Sequence, residues 1–173
     1  MMRQETVWRL AGFAAVLGGL IDLIGPLFYP HLAQPLRLST YVAIDVLLLF
    51  GMLGVRSVAG ATMGWLGLAG FVIAVTGVLL VRTSAAGIWG AASYTVASAV
   101  WSIGMAVIGA ALLLNKGPFR VAAALWIAAL VIGLAGLALK DQGLVHRLAG
   151  WCFALGFVVA GASLARTASR AEA

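Results

Sequence analysis

From Thr83 to Asn115 the chain carries no charged side chain. Taken as helix at about 1.5 Å per residue, such a run crosses the roughly 30 Å hydrocarbon core of a bilayer. Charged residues elsewhere also sit at intervals, separating further apolar stretches of spanning length. Only 9% of the 173 residues are charged and 64% are apolar, whereas a soluble domain carries about 25% charged residues. A globule of this composition could not cover itself with polar surface. The expected fold class is therefore all-α: a polytopic membrane protein, a bundle of six transmembrane helices in a single domain, residues 1–173.

The segments are set by charges and turn residues. Helix one is expected from about Trp8 to Phe28, ending at Tyr29-Pro30, and is read as a retained span rather than a cleaved signal because Asp22 interrupts its apolar run. A polar loop, His31 to Ser39, leads to helix two, about Thr40 to Val55, which is short enough to suggest an earlier start. Arg56-Ser57 is expected to turn the chain into helix three, about Val58 to Val81. Helix four follows from about Ile88 to Asn115, helix five from about Phe119 to Leu139 after Lys116-Gly117-Pro118, and helix six from about Leu144 to Leu164 after Lys140-Asp141-Gln142-Gly143. The tail, Ala165 to Ala173, is expected to fray. Leu-Ala-Gly fragments at Arg9, Leu68 and Arg147 recur; with helices one and six running in opposite directions they fit inverted repeats like those of transporters, but chance matching among residues this common is the favoured reading.

Lys and Arg set the orientation. With six spans, Arg3, Arg9, Arg56, Lys116, Arg120, Arg166 and Arg170 share the side of both termini, against Arg37, Arg82, Lys140 and Arg147 opposite. This places the protein in the cell membrane as a multi-pass chain with cytoplasmic N- and C-termini. The net charge of +6 comes from residues flanking apolar segments, as headgroup anchors do, so nucleic acid is not an expected partner. Membrane lipid is. The lone Cys152 excludes an intramolecular disulfide and a CxxC site, and His31 and His146 are too few for bis-histidine haem ligation across several helices. No Walker loop, HExxH or GxSxG occurs, so no metal or cofactor is expected.

Two acids stand inside the spans. A carboxylate near the bilayer centre costs about 2.5–3.5 kcal/mol on insertion scales, so it faces protein or a cavity and is a functional candidate by default. Asp22 lies six residues before the expected end of helix one, and Asp45 five after the start of helix two. Both then sit roughly 8–9 Å below the same outer surface. Ala11, Ala15, Gly18, Asp22 and Gly25 form one stripe of helix one, whose small residues let helices approach closely in lipid and turn Asp22 inward. Facing each other, Asp22 and Asp45 would share a proton. Alternatively, they serve structure, pairing with Arg37, Arg82, His146 or Arg147.

Asp22 and Asp45 are thus the candidate catalytic pair. The candidate ligand-binding residues are Tyr29, Tyr41, Tyr94, Ser98, Trp101 and Trp151, around an outward-opening pocket near helices one, two, four and six. Trp8 and Trp89 read as interfacial anchors, and Trp65, Trp101, Trp126 and Trp151 as deeper residues.

Three functions fit. The first is a binding or transport component for a small lipophilic or amphipathic ligand, working with a membrane partner subunit. In size, span number, termini and outer-half pocket the chain is similar to the substrate-capture subunits of energy-coupling-factor importers. Ala11-x-x-x-Ala15 looks like their coupling-contact spacing, a pattern common in membrane helices. The second is a membrane-embedded enzyme, with one Asp as general acid on a lipophilic substrate, of isoprenoid cyclase or isomerase type. The third is an assembly subunit without chemistry, in which both acids are dispensable.

Overall fold

A computed structural model describes residues 3–84, 87, 89–115, 117–139 and 143–172. The expected breaks at Lys116 and Lys140-Asp141-Gln142, and the expected helix start at Ile88, fall on residues outside that set. Every long element among the described residues is an α-helix: α1 (Gln4–Phe28), α2 (Gln34–Thr83), α3 (Ser93–Leu114), α4 (Arg120–Ala138) and α5 (Leu144–Glu172). All five are long and apolar enough to cross a membrane.

Four expectations change. Helix two begins at Gln34 rather than Thr40, because Pro35 fits the first helical turn, where its missing N–H costs nothing. Ser39 and Thr40 donate back to the carbonyls of Pro35 and Leu36 instead of forming a loop. The chain does not turn at Arg56-Ser57. It stays helical to Met63 and leaves helical geometry at Gly64 (φ 55°, ψ −152°), in a region open almost only to glycine. Finally, the C-terminal tail is helical to Glu172, with Leu164 and Ala168 fully buried; α5 continues because α1 runs alongside it to the same end of the bundle.

Gly64 folds α2 back on itself. A straight α2 would hold Asp45 and Arg82 about 55 Å apart, yet they form an ion pair. The Arg56 guanidinium likewise lies 5.7 Å from the Phe71 ring centre. These pairs straddle Gly64 symmetrically, as in a helical hairpin. The turn also relocates Trp65, expected deep in a helix; it follows the turn directly and is 85% exposed. A Cβ at Gly64 would meet open space, so the cost of Gly64→Ala is conformational. The expected loss is about 1–3 kcal/mol, measured by denaturant unfolding in detergent.

The halves of α2 and the other helices form a closed ring in chain order. α1 contacts residues 34–63 of α2, residues 65–83 contact α3, α3 contacts α4, α4 contacts α5, and α5 returns to α1. Small residues make the seams. Gly51 and Gly54 sit on Ala15 and Ala11, Gly70 on Gly104 and Ile108, and Gly12 on Gly161. Along α1 the inward face is Ala11, Gly12, Ala15, Gly18 and Gly19, while Phe13, Leu17, Leu20 and Leu27 face outward. Large apolar groups outside and small ones inside is the arrangement that lipid surroundings favour.

Aromatic side chains fill the interior. Trp101, Phe153, Phe157 and Trp126 stack edge to face in sequence, with ring centres 5.0, 5.4 and 5.2 Å apart. At the end of the bundle where α2 turns, Trp8 donates to Ser57 Oγ at 3.0 Å and ties α1 to α2.

Candidate functional site

The site is built where α1 ends and α2 begins. Gly18 of α1 sits on Leu47 and Leu48 of α2, and this register continues one helical turn to bring Asp22 level with Asp45. Asp45 lies eleven residues into α2 rather than the expected five, because the helix starts at Gln34. The added turns extend past the end of α1, so the two acids keep their common level. The fold-back at Gly64 then brings Arg82 to the same level from the second half of α2.

These residues surround a cavity of about 480 Å³. Its charged lining groups are Asp22, Asp45 and Arg82. Tyr29, Tyr41, Tyr94 and Trp101 supply aromatic surface, and Pro26, Pro30, Ile44 and Val81 complete the wall. The chain has three tyrosines in all, and every one lines this cavity.

Local sequence explains several placements. Pro30 helps close α1, and Tyr29 turns back along it to donate from its hydroxyl to the Ile21 carbonyl at 3.3 Å. A Cβ on Gly25 would occupy the space of the Tyr29 ring, so Gly25 is what lets that ring lie flat against its own helix. Tyr29 meets Tyr41 edge to face at 4.7 Å, and the Arg82 guanidinium lies 5.7 Å from the Tyr41 ring centre. Tyr29, Tyr41, Arg82 and Asp45 are thereby one connected wall.

The two acids are placed unequally. Asp45 is 5% exposed and its carboxylate is ion-paired with Arg82 across the α2 hairpin. Asp22 is half-buried and has no hydrogen bond or ion pair with any described residue. Trp101, 9% exposed, keeps its indole N–H without an acceptor. No group of three or more His, Cys, Asp or Glu that could hold a metal ion occurs among the described residues.

Of the residues expected at the site, Asp22, Asp45, Tyr29, Tyr41, Tyr94 and Trp101 come together. Ser98 and Trp151 do not. Ser98 is half-buried on α3 away from the lining, and Trp151 is 45% exposed on α5. The pocket was expected to include helix six, but α5 contributes no lining residue. Its Phe153 stands behind Trp101 instead, at 5.0 Å between ring centres. Ile44 and Val81 belong to the wall without having been singled out; each is the sequence neighbour of a charged lining residue. No family model, curated protein or solved structure matches the chain.

Proposed function

We propose that the chain is an integral membrane protein with six crossings and cytoplasmic termini that binds a small lipophilic or amphipathic molecule in this cavity, as a binding or transport component. One observation carries the reading. Two intramembrane acids, all three tyrosines and Trp101 converge on a single volume of about 480 Å³, within the roughly 300–1,000 Å³ of small-molecule sites. Packing alone gives no reason to hold so many polar and amphipathic groups around open space, when leucine would fill it at lower cost.

The hairpin at Gly64 supports the six crossings, because residues 34–63 and 65–83 are each about 30 Å or more of helix. The ion pair favours binding over two-acid catalysis. Asp45 is engaged by Arg82, which leaves Asp22 as the one carboxyl of the cavity lining without an ion-pair partner among the described residues.

Mass spectrometry of small molecules co-purifying with the detergent-solubilised protein tests this, with wild type beside Asp22→Asn and Asp45→Asn. A compound retained by wild type and lost in both variants is the expected result. No specific compound in wild type, with both variants equally or more stable, would instead leave an assembly subunit.

A further inference from the structure

The charges lining the cavity do not balance. Asp22 and Asp45 bring two carboxylates and Arg82 one guanidinium, and the guanidinium is taken up by Asp45. Asp22 is left as the one lining charge without an opposite partner among the described residues. The Tyr29 hydroxyl does not compensate, since it donates to the Ile21 carbonyl.

The walls beside that carboxylate are aromatic. Tyrosine and tryptophan ring faces carry negative potential and attract cations, most strongly where water is scarce. The cavity already shows one such contact, Arg82 at 5.7 Å from the Tyr41 ring centre. Tyr29, Tyr94 and Trp101 offer further rings around the same space. A Ca²⁺ ion fits poorly, because it takes six to eight oxygen ligands and one of the two carboxylates here is engaged.

Resting on the ligand-binding reading above, we propose that the occupant is an organic cation. Its ammonium group sits against Asp22 and the rings of Tyr29, Tyr94 and Trp101, and its apolar part lies along Ile44 and Val81. A free amine and the quaternary ammonium of a lipid headgroup share this chemistry.

The test is binding of benzyltrimethylammonium to the full-length protein in a non-ionic detergent, by calorimetry, beside its uncharged isostere neopentylbenzene and the anion phenylacetate. Wild type is compared with Asp22→Asn and Asp22→Glu, and the ratio between proteins cancels partitioning into detergent. The expected result is at least tenfold tighter binding of the cation than of either comparator by wild type. Asp22→Asn abolishes that preference and Asp22→Glu retains it. Displacement of the cation by added phosphatidylcholine assigns the headgroup as the source, and no displacement assigns a free amine. Equal binding of cation and isostere by wild type overturns the charge assignment while leaving a ligand pocket, and so does preference for phenylacetate, which would make Arg82 the recognising group. No binding of any probe also overturns it, and the co-purification experiment then decides the pocket separately. The wild-type comparison decides even where Asp22→Asn fails to fold.

Discussion

Arg82→Met will destabilise the protein by about 3 kcal/mol, the largest loss expected from any single change to the cavity wall. Removing Arg82 leaves the carboxylate of Asp45, 5% exposed, without the ion pair that holds it. An uncompensated charge in such surroundings costs several kcal/mol, whereas removing both partners costs far less. Arg82→Met with Asp45→Asn is therefore expected to recover most of the loss. Unfolding in detergent, followed by far-UV circular dichroism on all four proteins of the cycle, measures it. If the single and double variants lose the same amount, Arg82 acts through packing on Tyr41 and not through its charge.

Gly77→Val will lower stability by about 3 kcal/mol or more and, on the proposed function, will abolish retention of a co-purifying ligand. A Cβ at Gly77 falls on the backbone N and Cα of Trp101, atoms that cannot rotate away. The change must separate α3 from the second half of α2 along the seam that also buries Gly70 and Gly104. Trp101 leaves the cavity wall with its backbone, which is why binding should fail together with stability. Gly150→Ala is the matched control. It lies on α5 with nothing within 4 Å of an added Cβ, so its effect should stay within about 0.5 kcal/mol. The same unfolding assay, with co-purified ligand quantified in parallel, separates the two.

Much of this architecture is legible in the residue order because lipid imposes simple demands. Apolar runs of spanning length located both ends of α4 and the start of α5 to within a few residues, though not the end of α5, and the stripe of small residues on α1 identified its inward face. The common level of Asp22 and Asp45 follows from counting back from one loop. Arg56 misled the count of turns. Its charge reads as a loop, yet it lies within α2 and rests against Phe71. The helices run more than one turn beyond Arg9 and about two turns beyond Arg56, so charge does not mark the end of a helix there. The residue that does turn the chain, Gly64, is hidden among 22 glycines, most of which serve helix packing. Symmetry offers the missing signal, since Asp45 and Arg82 stand nearly equidistant from Gly64 and would attract one another in a hairpin. Trp151 and Ser98 stand outside the cavity lining for a related reason. Depth along a helix is readable from sequence, but the face a residue turns to its neighbours depends on the order in which the ring closes.

Every property assigned to the cavity depends on α2 doubling back so that both of its halves, with the end of α1, enclose one volume. The direct measurement is cross-linking of a chain carrying Asp45→Cys and Arg82→Cys with Cys152→Ala, treated in membranes with a short rigid bismaleimide. Intact mass spectrometry of the monomer reads the result. The hairpin predicts one bridging reagent per chain, with neither thiol left for later labelling. Two singly attached reagents per chain, or bridging only between chains, would mean that positions 45 and 82 do not meet within one molecule, and the cavity described here would not exist.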